Sequence, residues 1–373
     1  MKVALDVSAV PARLAGAGRY VVELARRLPA CDLETTLVTR RDDAQRWRQW
    51  SPDANVMPLV PSSRPRRLLY EAWQLGTSAS ARASDVFHSP HYTMSHRRVT
   101  PTVVTIHDLT FFTDPQWHER SKVAFFRRAI EYSARHASVL ICVSDFTSRQ
   151  LDEMIPSHAP VVVAPHGVDL KRFNANDVDD EQLLVEHELP FGVRYVFFVG
   201  TLEPRKGLDV LLAAFEELCA QDPTLELWLA GQPGWGLEDL DRQLAAHRGS
   251  ERIRRLGFVD DVVLPALFRQ ALVVAYPSRG EGFGLPVLEA MACGSLVVTT
   301  SDTVMAEVAG EAARLVPAGD SVALANELAL CAAMDHEQRD RASSQARARA
   351  STFTWKASLE QHLVAYNRAR SGD

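Results

Sequence analysis

The 373-residue chain is predicted to be an α/β protein built from two parallel-sheet domains. Three observations point there. Short β-like apolar runs alternate with amphipathic stretches through most of the length, the pattern of strands joined by helical crossovers. The length suits two domains at about 100 to 200 residues each. Charge also divides unevenly: residues 1–165 hold 21 Lys and Arg against 16 Asp and Glu, whereas residues 166–373 hold 20 against 31. Separate units with different partners account for that split, and scattered surface charge is the plainer reading of it.

In the first half, strands are expected at residues 2–7, 34–39, 85–88, 102–107, 138–143 and 161–164, each short and rich in apolar or β-branched residues. Helices are expected at 18–28, 121–136 and 146–154. Ser144 and Asp145 precede the last of these, and their side chains suit the free N–H groups of a helix start. The second half repeats the theme, with strands at 195–199, 225–230, 253–256, 272–276 and 296–298 and helical stretches such as 207–218 and 285–292. Residues 169–192 lie between the halves, and the polar run from Asn174 through Asp177 and Asp179 to Asp180 reads as a surface connection. The tail, 355–370, is amphipathic and begins with Trp355, so it needs a surface to dock on.

Composition removes several classes. At 46% hydrophobic and 24% charged the chain is an ordinary globular one, not a disordered one. No apolar run approaches the roughly 18 residues of a membrane-spanning helix. Asp6 interrupts the first apolar run, which therefore reads as a strand and not as a signal peptide, and a cytoplasmic location is expected. Cys31, Cys142, Cys219, Cys293 and Cys331 are odd in number and far apart, which argues against a disulfide framework or a zinc ribbon. No nucleic-acid partner is expected. The run from Arg64 through Arg66, Arg67 and Leu69 to Trp73 reads as a core-facing helix with a charged start, with a membrane-surface segment as the alternative.

Parallel sheets bind ligands beyond the carboxyl ends of their strands. After the strand at 195–199 come Gly200, Thr201, Leu202, Glu203, Pro204, Arg205, Lys206 and Gly207, with two adjacent cations before a helix. Cations and free helical N–H groups together suit a diphosphate, and a solvated Arg-Lys turn is an equally good reading of these residues alone. After the strand at 272–276 come Glu281, Gly282, Phe283, Gly284, Leu285 and Pro286, with Glu289 further along the helix. The helical part of that spacing separates the two carboxylates by roughly 8 to 10 Å, the scale on which a nucleotide sugar presents its hydroxyls. With 22 Glu in the chain, chance supplies about one pair at this spacing, so the glycine-rich context carries the reading. A surface loop acid at 281 and an exposed helical acid at 289 are the plain alternatives.

The first half is less specific. Gly16 and Gly18 open a helix after the first strand, but Val21 stands where a dinucleotide fingerprint needs glycine. His88 and His91 follow the third strand, and His107 with Asp108 ends the fourth. His88, His91 and His96 lack a metal-binding spacing and read as polar pocket lining. His107 is the candidate pocket histidine, with a satisfied core histidine as its alternative. Asp177 with Asp179, and Asp239 with Asp241, read as exposed acids rather than metal ligands.

Taken together, Gly200 to Gly207, Glu281 to Ala292, the corner Pro165-His166-Gly167-Val168-Asp169 and the run Val143-Ser144-Asp145-Phe146-Thr147 resemble retaining glycosyltransferases of family 4, over nearly the whole chain. The resemblance implies the GT-B fold, two Rossmann-like domains facing a cleft, with the C-terminal helix crossing back to the first. The domains are then 1–168 with 355–373, and 169–354. It implies sugar transfer from a nucleoside diphosphate to a hydroxyl with the anomeric configuration retained, with no metal and no cofactor. Arg205 and Lys206 would hold the diphosphate, Glu281 the donor sugar and Glu289 the ribose. Gly200, Gly282, Phe283, Gly284 and Leu285 would give backbone contacts, Phe258 and Val259 would line the base, and Gly16 and Gly18 would approach the phosphates from the opposite domain. His107 matches the position near the donor sugar, leaving His88, His91 and Asp108 as acceptor-side candidates. His166 stands where Asn is usual and Ala306 where Pro is common, which bears on the subfamily. GDP-mannose is the first donor expected, with a glycan or lipid-linked acceptor and peripheral contact of the basic half with an anionic inner-membrane face. A nucleotide-sugar epimerase and a non-catalytic nucleotide-sugar sensor are the alternatives.

Overall fold

A computed structural model describes residues 1–12, 14, 16–156, 158–176 and 178–372. Asp177, named above as part of a linker acid pair, lies outside the described residues. The chain divides into two compact units, Met1–Gly167 with Trp355–Asp373, and Val168–Thr354.

The first unit is a seven-stranded, all-parallel sheet in the order β3-β2-β1-β4-β5-β6-β7. Its strands are β1 (Lys2–Asp6), β2 (Glu34–Arg40), β3 (Asn55–Val60), β4 (Val86–Ser89), β5 (Thr102–Ile106), β6 (Val139–Cys142) and β7 (Val161–Val163). Helices α1 (Gly16–Arg27), α2 (Arg64–Trp73), α3 (Arg120–His136) and α4 (Asp145–Met154) run between them, with shorter ones. Successive strand side chains point to opposite faces, so β5 feeds two cores: Val103 packs with Leu5, Tyr20 and Trp47, and Val104 with Phe111, Ile130 and Leu151. The C-terminal helix (Trp355–Ser371) adds Trp355, Leu359, Ala365 and Tyr366 to the first of these cores, which confirms the crossing back. Ser144 caps α4 as expected, accepting from the Thr147 N–H at 3.0 Å.

The second unit is a six-stranded parallel sheet in the order β10-β9-β8-β11-β12-β13. Its strands are β8 (Tyr195–Val199), β9 (Glu226–Ala230), β10 (Ile253–Gly257), β11 (Val273–Tyr276), β12 (Val297–Thr300) and β13 (Arg314–Val316). Among its helices are α5 (Asp180–Glu186), α6 (Leu208–Gln221), α7 (Leu237–Ala246) and α8 (Leu285–Ala292). Tyr195 and Trp228 stack across β8 and β9 with centroids 3.9 Å apart.

Two features differ from the sequence reading. Strands β3 and β13 were not expected, and both are edge strands. Pro58 sits within β3, where a missing N–H is tolerated only at an edge, and β13 has three residues. The segment at 169–192 is more than a polar connection, because α5 buries Asp180 against Arg269, whose guanidinium Nε lies 2.9 Å from Oδ2. Asp239 and Asp241, as expected, are exposed acids on a helix, α7, where they pair with Arg242 and Arg255. Among the described residues no helix is long and apolar enough to cross a membrane.

Candidate active site

Loops following β8, β9 and β11 meet at the carboxyl edge of the second sheet, where parallel sheets hold ligands. Two glycines allow the approach. Gly207 has φ +70°, and a Cβ there would lie 2.1 Å from the Pro277 carbonyl oxygen; Gly231 has φ +139°, and a Cβ would lie 1.8 Å from the Gly200 carbonyl oxygen. A side chain at either position would force two loops apart. Arg279 ties the β8 and β11 loops, pairing with both Asp209 oxygens at 2.7 and 2.6 Å and donating to the Pro204 carbonyl at 2.9 Å.

An ionic cluster sits within these loops. Arg205 donates to Glu203 Oε1 at 2.7 Å, to Glu281 Oε2 at 3.1 Å and to the Gly280 carbonyl. Lys206 Nζ donates to Glu281 Oε1 and, at 3.0 Å, to Tyr276 Oη. Glu281 Oε1 also accepts from Ser278 Oγ at 2.8 Å and Tyr276 Oη at 3.1 Å. The solvated-turn reading fails, because the side chains of Arg205, Lys206 and Glu281 are only 15%, 9% and 12% exposed. Burial by itself raises the Glu281 carboxyl, but Lys206 and then Arg205 outweigh it and hold its pKa at about 2. Burial draws the Lys206 ammonium down while Glu281 opposes the shift. Arg205 and Lys206 thus face Glu203 and Glu281, and the four formal charges sum to zero.

The other predicted donor residues lie on adjoining elements. Gly200 follows β8, Gly282, Phe283 and Gly284 complete the β11 loop, and Leu285 opens α8. Glu289 is buried on α8, which removes the exposed-acid reading. Phe258 and Val259 follow β10, Phe258 being 45% exposed. Sequence reasoning missed Tyr276, Ser278 and Arg279. Their signal was position, since all three stand at or just beyond the end of β11.

The first unit presents a different edge. His107 follows β5 and is buried, and its Nε2 lies 2.7 Å from the Pro90 carbonyl. A carbonyl only accepts, so Nε2 carries the hydrogen and Nδ1 keeps its lone pair. Burial lowers the His107 pKa, which keeps the ring neutral near pH 7. Tyr20 and Tyr92 meet this ring edge-on, with centroids at 5.2 and 5.5 Å. Asp108 accepts from Tyr92 Oη at 2.6 Å and from Thr110 N and Oγ1 at 3.0 and 2.6 Å. Gly16 opens α1 with no atom within 4 Å of an added Cβ, and Gly18 is buried behind it.

His91, Asp6 and Glu71 bring one nitrogen and two carboxylate oxygens within 4.8 Å of one another, a metal-ligand composition that spacing had not suggested. Glu71 already accepts from Ser8 Oγ at 2.9 Å and Arg67 Nη1 at 2.7 Å. Burial and Asp6 push its carboxyl up to about 7, and burial pushes the His91 imidazole down to about 4.

Two expectations are corrected. His88 lines no pocket: it lies inside β4, fully buried, with Nδ1 2.9 Å from Tyr366 Oη and Nε2 2.8 Å from Thr105 Oγ1. Both ring nitrogens are used internally, which rules out an acceptor contact. The helix at 64–73 is not core-facing, since α2 buries Glu71 and leaves Leu69 64% and Trp73 50% exposed.

Residues 179–349 match the family described as glycosyl transferases group 1, and residues 14–172 match glycosyltransferase family 4. The chain is 29% identical over 384 residues to the O-antigen chain mannosyltransferase B of Escherichia coli, covering 98% of this chain and 99% of that one. It is 30% identical over 403 residues to the D-inositol 3-phosphate glycosyltransferase of Salinispora tropica, covering 95% and 81%. Among solved structures, Anabaena HepE in complex with UDP-glucose matches with a TM-score of 0.77 at 21% identity, over 98% of this chain and 99% of that one. With its two Rossmann-like parallel sheets and these matches along its length, the chain belongs to the group 1, family 4 glycosyltransferases and has the GT-B fold.

Proposed function

We propose that the protein is a retaining hexosyltransferase that moves a sugar, mannose from GDP-mannose being the first donor to test, from a nucleoside diphosphate to a hydroxyl of a glycan or lipid-linked acceptor in surface polysaccharide synthesis. The observation that carries this reading is the buried Arg205, Lys206 and Glu281 cluster at the ligand edge of the second sheet. A leaving diphosphate gains negative charge as the glycosidic bond breaks, and fixed cations in a poorly solvated site stabilise it most. An arriving diphosphate takes over Arg205 and Lys206 and frees Glu281 to accept from the hydroxyls of the donor sugar. With its pKa held at about 2, Glu281 is a hydrogen-bond acceptor and a poor proton donor. The N–H groups at the start of α8 add to the diphosphate site, Glu289 takes the ribose, and Phe258 and Val259 flank the base. His107 offers a neutral imidazole to the transferred sugar, while His91 and Asp108 serve the acceptor. In this scheme side-chain cations meet the diphosphate charge, and no metal or cofactor takes part. The E. coli relative's mannosyltransferase activity supports the choice of sugar, and UDP-glucose in HepE supports a nucleotide-sugar donor.

Incubation with a panel of nucleotide sugars, with and without a lipid-linked acceptor extract, tests the proposal by release of free nucleoside diphosphate. Release from one donor, abolished in Glu281→Ala and Lys206→Ala, supports it and names the sugar. Binding without release, or conversion to another nucleotide sugar, overturns it in favour of a sensor or an epimerase. Arg64 and Arg66, exposed beside Leu69 and Trp73, support peripheral contact with an anionic inner-membrane face; Arg67 is engaged with Glu71. Failure of the intact protein to bind anionic vesicles would remove that part.

A further inference from the structure

Five hydrogen bonds form a continuous buried chain through the first unit, starting and ending on the C-terminal helix. Tyr366 Oη lies 2.9 Å from His88 Nδ1, and His88 Nε2 lies 2.8 Å from Thr105 Oγ1. Thr105 Oγ1 lies 2.9 Å from Tyr20 Oη, Tyr20 Oη lies 2.8 Å from His362 Nε2, and His362 Nδ1 lies 2.7 Å from the Ser358 carbonyl. Tyr366, His88, Thr105, Tyr20 and His362 are all fully buried.

The direction of every bond follows from its end. The Ser358 carbonyl can only accept, so His362 carries its hydrogen on Nδ1 and offers Nε2 as an acceptor. Tyr20 must then donate to His362, which uses its one hydrogen and obliges Thr105 to donate to Tyr20. Thr105 in turn accepts from His88 Nε2–H, leaving His88 Nδ1 to accept from Tyr366. Burial keeps both imidazoles neutral, lowering His362 to about 4 and His88 well below the ordinary histidine value. No bond can reverse without orphaning a buried polar group.

The chain bears on His107 through Tyr20. The Tyr20 ring meets the His107 ring at 81°, and Thr105 stands two residues before His107 on β5. The carbonyl that fixes His107 Nε2 belongs to Pro90, which directly follows β4, the strand that carries His88. We infer that Tyr20 and His362 are positioning residues: the C-terminal helix, through His362 and the Tyr20 hydroxyl, sets the orientation of the His107 imidazole. The inference rests on the reading of His107 as the group that acts on the transferred sugar.

Two measurements on the full chain test it. With histidine 15N-labelled, NMR of the wild type should show His362 protonated at Nδ1 and His88 at Nε2. In Tyr20→Phe, which keeps the ring and removes the hydroxyl, and in His362→Phe, the His107 resonances should shift or split while the circular dichroism spectrum is retained. In the nucleoside diphosphate release assay both variants should lose about tenfold in kcat with donor KM within twofold. The double variant should be no worse than either single, as expected for two members of one chain. A merely structural role would lower Tm and leave the His107 resonances and the kcat of the folded protein unchanged, and that result overturns the inference. Full activity of His107→Ala would instead sink the role given to His107, with the NMR comparison still deciding whether Tyr20 and His362 orient its ring.

Discussion

At the ligand edge of the second unit, buried charge is balanced by buried charge: Arg205 and Lys206 against Glu203 and Glu281. At the corresponding edge of the first unit, His107 is packed among uncharged rings and held by directional hydrogen bonds and ring contacts, with a single carboxylate, Asp108, following it in the chain. Both edges close the same kind of parallel sheet, so topology fixes where the polar residues gather and not what kind they are. Nine of the twelve histidines fall in the first unit. A charged edge suits a group whose charge grows during reaction. An edge of hydrogen-bonding groups with little charge suits hydroxyls.

The largest expected effect falls on the ionic edge. Lys206→Ala should lower kcat for nucleoside diphosphate release by about 10²- to 10³-fold, the typical consequence of removing one preorganised donor. A loss of only about tenfold, no more than that of Tyr20→Phe, would erase the contrast between the edges. Glu281→Gln should also destabilise the second unit by about 3 kcal/mol, measured by urea denaturation, because it leaves buried cations undercompensated.

Acid should separate the units. His91 and His362 titrate near 4 in the folded protein against 6.5 in the unfolded chain, and His88, His107 and His166 are lowered too. Between those values the unfolded state binds more protons, so the first unit loses stability as pH falls from about 6.5 toward 4. Glu71, raised to about 7, works in the opposite sense over part of that range but is one group against five. Glu281 is lowered from 4.5 to about 2, so its contribution is full above 4.5 and is lost only below it. Hydrogen exchange at pH 5 against pH 7.5 should therefore show faster exchange in β5 peptides than in β11 peptides, and equal loss would break the comparison.

Smaller effects belong to the backbone. Gly207→Ala should cost about 2 kcal/mol in urea denaturation, from its positive φ and the Pro277 carbonyl 2.1 Å from the new methyl group. Gly16→Ala meets nothing within 4 Å and should stay within about 0.5 kcal/mol of wild type, while raising donor KM if the phosphates approach it.

The ionic edge was the more legible one, because its residues lie in two short runs directly after strands. Even so, Arg205 and Lys206 in the sequence were as consistent with a solvated turn, and only their burial against Glu281 separates the two readings. The surroundings of His107 were hardly legible: Tyr20 and His362 stand 342 residues apart, and neither belongs to a local motif. His88 misled because a histidine at a strand end looks like a pocket residue until its two nitrogens are traced. Strands β3 and β13 escaped because edge strands need neither continuous apolar runs nor freedom from proline.

The C-terminal helix has a consequence for how the protein is made. The second unit is one unbroken segment, Val168–Thr354, whereas the first takes its last layer from residues synthesised after it. On the ribosome the usual order, in which the amino-terminal domain folds first, is therefore inverted. The nascent first unit must keep Tyr20, Thr105 and His88 open for a helix that is translated only after the whole second unit. A premature stop at position 355 would leave the second unit whole and damage the first, which begins the sequence.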